Sequence, residues 1–276
     1  MSLVEPAERA GPLRAPRNTA QEIKGSIHDD ATASKLGFRG GTVAGSIHMD
    51  QFVPLLVAEY GESWLGRGTI SLMFKQATVD GEPVRAVLRS GAKHARLSMF
   101  NEAGALICEG TASPGADPTS ELARRLADQR PPAPGALRIL AAIRPGDEAR
   151  DLPLVIAESA LKTRMETITE PLAAYEAGVL PPSMVVLLAH GARAAVVGSA
   201  GKAVGLFGAL EVETIKGPLY AGTAYVGRTR VHALADSPKT EAVWYDVFIA
   251  EPGGDDVARV RFFLRFMKAS SPLWAN

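Results

Sequence analysis

Residues 27–48 read IHDDATASKLGFRGGTVAGSIH. A His-Asp-Asp cluster runs through the glycine-rich segment GGTVAGS into an apolar stretch that opens on a second histidine. The continuation, residues 46–60, is SIHMDQFVPLLVAEY. It carries Ile47, Phe52, Val53, Leu55, Leu56 and Val57, a density that predicts a mostly buried helix. Ser46 stands where an N-cap is expected. Pro54 predicts a kink or a place in a first turn, because proline has no N–H to give a helix interior. A helix apolar on most sides needs a sheet to lie against, so the flanking sequence is expected to supply strands.

It does so on the C-terminal side. TISLMFKQATV alternates apolar and polar residues, and PVRAVLRS, HARLSMFN and ALICEGTAS read as three further strands. NEAG between the last two predicts a hairpin turn, with Gly104 supplying the positive φ. The pattern is then repeated. YEAGVLPPSMVVLLAHGARAAVVG places glycine and proline before an apolar helix, and long alternating strands follow, the last two joined by EPGGDD. Two units of the same plan in one chain point to internal duplication. The boundaries expected are an arm over 1–20, a first unit over 21–115, a linker over 116–150 with the short charged helix SELARRLADQR, and a second unit over 151–276. One helix on a curved antiparallel sheet is the hot-dog arrangement. The fold class expected is α+β, a double hot-dog of two antiparallel sheets, each wrapped around a central helix and paired edge to edge.

Composition narrows the function. The chain has 276 residues, 46% of them apolar, with 30 basic and 30 acidic side chains. A near-zero net charge without a basic face argues against nucleic acid and leaves self-association unopposed, so a homodimer or higher homo-oligomer is expected. No apolar run reaches the roughly 18–20 residues of a membrane span, and the N-terminal residues lack a signal-peptide core. The expectation is a soluble cytoplasmic protein with no membrane partner. Cys108, the single cysteine, lies in a strand pattern and is expected to be an inert core residue. The histidines are scattered with no metal-ligand spacing, so no metal site is expected.

The opening stretch resembles the signature region of the MaoC-like hydratases and dehydratases of the hot-dog superfamily. Ile27, His28, Asp30, Gly37, Phe38, Gly41, Val43, Ala44 and Gly45 fall into that pattern. The resemblance implies an acyl thioester, acyl-CoA or acyl-carrier, as substrate and no further cofactor. It also implies that an Asp-His pair exchanges protons with a water that adds to or leaves the acyl chain, and that amides at the helix start hold charge on the thioester oxygen. The family's Asp position is Ile23 here, and its Asn-Pro pair is Gly25-Ser26. The acid partner is therefore missing from its usual place, with Glu22 one residue further out.

The candidate catalytic residues are thus His28 and Asp30, with Asp30 also able to cap the turn that follows it. Gly41, Val43, Ala44, Gly45 and Ser46 are candidates for the oxyanion and substrate contacts. His48 and Asp50 sit two residues apart and so face different sides of the helix; either could reach the site. Two alternatives stand beside hydration. One is a thioesterase using Asp50 at the central helix. The other is a non-catalytic ligand-binding protein that has lost the family's Asp. His94 and His232 read as satisfied strand residues, and the second unit, with His190 in its helix, lacks the Ile-His-x-Asp stretch.

Overall fold

The computed structural model describes residues 7–275. Ten strands form one antiparallel sheet, in the order β1-β3-β4-β5-β2-β7-β10-β9-β8-β6. The first half supplies β1 (Glu8–Ala10), β2 (Thr69–Phe74), β3 (Val84–Arg89), β4 (Ala95–Asn101) and β5 (Leu106–Ser113). The second supplies β6 (Glu148–Val155), β7 (Gly205–Thr214), β8 (Ala224–Asp236), β9 (Thr240–Ala250) and β10 (Asp256–Met267). Read outward from the centre, both halves follow the same strand order.

The expectation of two sheets is corrected here. β2 and β7 pair directly, from Thr69 opposite Glu213 to Met73 opposite Ala209, so the halves merge into a single sheet with no break at the join. The physical reason lies in the unit itself: β2 is paired with β5 on one side only, and its other row of amides and carbonyls needs a partner.

Strand alternation separates the two faces. Ile70, Leu72, Leu210 and Val212 point into the main core, while Met73 and Ala209 belong to a smaller cluster on the opposite face. The main core is covered by the central helices. In the first half the run 46–60 is two helices, α2 (Gly45–Asp50) and α3 (Val53–Tyr60), where one was expected. Pro54 sits in the first turn of α3, where its missing N–H costs nothing. Ser46 is not the N-cap: Ala44 has the extended backbone of that position, and Ser46 is a buried residue inside α2. The preceding loop holds the short helix α1 (Asp30–Lys35), and α4 (Trp64–Arg67) leads into β2.

The helix of the linker is α5 (Glu121–Ala127), capped by the Ser120 hydroxyl on the Ala123 amide. It lies on the opposite face of the sheet, its Leu122 buried with Ala209 and Trp244. Two short helices, α6 (Glu158–Met165) and α7 (Ala173–Glu176), precede the second central helix α8 (Pro182–His190), which is followed by α9 (Arg193–Val197). β6 is a strand the sequence reading does not contain: its first residues fall in the expected linker, and its proline and bulge hide the alternation. Residues 7–20 pack onto the body through β1 and the Arg14–Val84 bridge; the rest of the expected arm, residues 1–6, lies outside the described residues. Gly104 has φ 79° in its turn, as its hairpin requires.

Candidate functional site

The loop before α2 is folded back on itself, and His28 is one of its ties. The His28 ring donates Nδ1–H to the carbonyl of Thr42 at 2.7 Å. Because a carbonyl only accepts, this bond fixes the neutral ring in the form with its lone pair on Nε2. The Thr42 amide returns a bond to the Ile27 carbonyl at 2.9 Å, and Asn18 holds the His28 carbonyl at 2.8 Å. His28 is half-buried. The sequence signal for the loop is Gly41: a Cβ there would collide with the His28 carbonyl, so only glycine permits the close return.

Asp30 serves that return as well. Its Oδ1 accepts the Gly41 amide at 2.6 Å and its Oδ2 faces Gln21 at 3.4 Å. No bond joins it to the His28 ring. The structure thus gives Asp30 the turn-capping part of its expected roles. Asp29 is turned the other way, accepting the Thr32 hydroxyl at 2.7 Å and the Gly25 amide at 3.3 Å. The Thr32 bond, with further donors and Lys24, holds its carboxyl below the usual range. Ile23, at the family's Asp position, is 58% exposed. Among the described residues His28 therefore has no acid partner.

Thr42 and Val43 are buried and carry the chain from His28 to α2; the Val43 amide is bonded to the Thr78 carbonyl at 2.9 Å. Ala44 and Gly45 are half-buried. The amides of Gly45 and Ser46 make no hydrogen bond within the described residues, as expected of a helix's first turn. Gly45 has a second reason to be glycine: a Cβ there would stand 2.7 Å from the Phe74 ring.

His48 and Asp50 are not at this opening. His48 is 2% exposed. Its Nδ1 faces Gln51 Oε1 at 3.3 Å and its Nε2 accepts the Thr78 hydroxyl at 2.9 Å. Burial lowers its pKa to about 4, which keeps it neutral. Asp50 is 1% exposed and faces the second half. It accepts the Arg164 guanidinium at 2.7 Å, the Ser183 hydroxyl at 2.5 Å and the Ser183 amide at 2.8 Å. Burial pushes its carboxyl up, against the pull of Arg164 and Ser183. Both oxygens of this carboxylate are thus bonded to the second half, and neither is open to solvent.

Arg164, Ser183 and Tyr175 were not singled out from the sequence. Tyr175 is 1% exposed and its hydroxyl has no partner; burial and the neighbouring Asp50 push its phenol up. A usable signal was Ser183 after two prolines at a helix start. Arg164, by contrast, sits in a helix whose charged surroundings disguise it. These groups pack at the junction of α2 and α8, and a small cavity of about 50 Å³ lies nearby, between the N-terminal arm and α3, beside Gln51, Pro54 and Glu170. Two larger cavities, of about 840 and 400 Å³, lie on the outer face of the sheet and include neither His28 nor residues 41–46. No group of three or more metal-ligating side chains occurs among the described residues. Among them, no helix is long and apolar enough to cross a membrane.

No family profile matches the chain, and neither does any curated protein sequence. Solved structures do. A MaoC domain protein dehydratase from Chloroflexus aurantiacus J-10-fl superposes with a TM-score of 0.62 at 12% identity, covering 95% of each chain. Rv0216 of Mycobacterium tuberculosis, described as a double hot-dog, gives 0.60 at 14% identity, with 96% of this chain and 97% of that one covered. The dehydratase domain of PpsC from Mycobacterium tuberculosis, solved with C12:1-CoA, gives 0.51 at 12% identity over 94% of each chain. At such identities the likeness is one of fold, and it agrees with the strand order and paired central helices described above. By fold, the chain is a double hot-dog, similar in architecture to MaoC-like dehydratases.

Proposed function

We propose that the chain processes an acyl thioester, with hydration of a 2-enoyl chain or dehydration of its 3-hydroxy counterpart as the reaction. The observation that carries this reading is the His28–Thr42 bond. It leaves a half-buried imidazole with a basic Nε2 at the loop that enters α2. In the hydration direction Nε2 takes a proton from water as the water oxygen bonds to C3 of the acyl chain. The electron pair of the C2–C3 bond moves toward the thioester oxygen, and His28 returns the proton to C2, so that H and OH are added in sum. The free amides of Gly45 and Ser46 are the groups suited to hold the oxygen's developing charge. The substrate is a CoA or carrier-protein thioester, and no further cofactor enters the balance.

The test is turnover on a panel of enoyl- and 3-hydroxyacyl-CoA thioesters, with free thiol measured in parallel. His28→Gln is expected to lower turnover by about a hundredfold or more, with no thiol released by either protein. An unchanged rate refutes the role. A second reading has its own support: Ile23 is exposed where the family places its acid, and His28 stands without a carboxylate. Tight acyl-CoA binding with no turnover across the panel would select a binding protein.

A further inference from the structure

The linker crosses the outer face of the sheet as a strap pinned at two buried carboxylates. At one end Ser120 donates its hydroxyl to Glu211. At the other, the amides of Arg138, Ile139 and Leu140 converge on Glu241 at 2.9, 3.1 and 2.9 Å. Between these anchors the proline-rich run 131–134 stands off the sheet. Beneath it lies the cavity of about 840 Å³, walled by Leu126 and Leu137 of the strap and by Ala233 and Leu234 of β8. Its size falls in the range of ligand sites, roughly 300–1,000 Å³.

A second cavity, of about 400 Å³, continues along β8 and shares Gln129 with the first. Two donors in it have no strong acceptor. The Trp244 indole N–H is buried and unpartnered. Arg265 reaches only the Thr240 hydroxyl, at 3.3 Å, and no carboxylate pairs with it among the described residues. The other two arginines of β10 contrast with it: Arg261 binds Asp246 through two bonds of 2.8 Å, and Arg259 binds Glu211 and Glu213 at 2.8 and 2.6 Å. Gly208 gives Arg265 its path, since a Cβ there would stand 2.6 Å from its Cδ. The other charged groups lining the cavity are satisfied or solvated: Arg125 is tied to Glu121 at 2.6 Å, Asp236 to Lys268 at 2.7 Å, and Asp128 is exposed.

A partly desolvated guanidinium without a counter-charge is costly, and a group that satisfies it must accept. We propose that this outer-face groove is a second ligand site, for a single-chain amphipathic carboxylate, with the head on Arg265 and the apolar tail under the strap. The planar guanidinium fork matches a carboxylate in two bonds. The site is on the face of the sheet opposite α2 and is independent of thioester turnover.

Calorimetric titration of the full chain tests it, with dodecanoate below its micellar concentration as the probe and dodecanol and dodecyl phosphate as comparison arms. Dodecanoate is expected to bind at least tenfold more tightly than dodecanol. Arg265→Gln is expected to bring it down to the dodecanol value, and Ala233→Trp, which fills the apolar groove, to weaken both. His28→Gln is expected to leave dodecanoate binding unchanged, which separates this site from the thioester reading. Equal affinity of the Arg265→Gln and parent proteins would overturn the proposal, as would no binding of dodecanoate at all. Tighter binding of dodecyl phosphate would overturn the carboxylate assignment.

Discussion

The Asp50 carboxylate at the end of α2 accepts both the backbone N–H and the hydroxyl of Ser183, at 2.8 and 2.5 Å. α8 has Pro181 at its own N-cap position, with no side-chain oxygen to offer. One central helix thus caps the other, and Arg164 from α6 neutralises the charge. Removing one member of such a buried pair leaves the other uncompensated. Asp50→Ala is expected to lose about 3–5 kcal/mol in urea unfolding, and Asp50→Asn less, since the amide oxygen still accepts. A combined Asp50→Leu, Arg164→Met protein is expected to recover part of the loss. A loss below about 1 kcal/mol for Asp50→Ala would refute the capping role.

Gly45 and Phe74 form a second pair that must change together. Gly45→Ala drives its Cβ into the aromatic ring, and overpacking of this kind costs about 1–3 kcal/mol. The double variant Gly45→Ala, Phe74→Leu is expected to be more stable than the sum of the single losses implies. Strict additivity in denaturant melts would show that the ring is free to move aside.

His48 sets a pH dependence. Its pKa falls from 6.5 in the unfolded chain to about 4 in the folded one. Below pH 6.5 the unfolded state takes up a proton that the folded state refuses, so stability is lost as pH drops through the window from 6.5 to about 4. Between pH 7 and pH 5 this amounts to about 2 kcal/mol. His190, lowered to about 4 by burial and Arg193, acts in the same direction. His48→Gln is expected to flatten the pH slope of the urea midpoint. A slope equal to that of the parent protein would place the effect elsewhere.

Asp246 behaves oppositely. Burial alone would raise its carboxyl, but the His232 ring, 2.9 Å away, and the guanidinium groups of Arg261 and Arg259 outweigh burial and hold it well below the usual range. The stability it contributes is present above the unfolded carboxylate value of roughly 4 and is lost as pH falls below it. Asp246→Asn is expected to cost about 3 kcal/mol at neutral pH, because Arg261 loses the carboxylate that holds it through two bonds. Guanidinium unfolding at pH 7 measures it.

Strand positions in the first half were legible because β3 and β4 alternate between buried and more exposed residues, while β2 and β5 are short, largely buried apolar runs next to turn residues. The buried helix was legible for the same kind of reason, from the density of its apolar residues. What stayed hidden is non-local. Nothing in Thr69–Phe74 announces that its free edge is met by Gly205–Thr214. The position of His28 was marked by its motif. The Nδ1 bond to Thr42 depends instead on a loop closure that only Gly41 hinted at. Asp50 could not be resolved from spacing, since its partners Arg164 and Ser183 lie more than a hundred residues away.

The direct seam between β2 and β7 has a consequence for how the chain can be divided. Severed in the strap, for instance after Gly135, each piece would carry a naked row of amides and carbonyls along an otherwise finished surface. Such fragments are natural complements: made together they should reassemble across that ladder, and made singly they should pair with their own kind or precipitate. A gene fusion of two self-pairing ancestors would leave this geometry, with the tether preventing the exchange of partners.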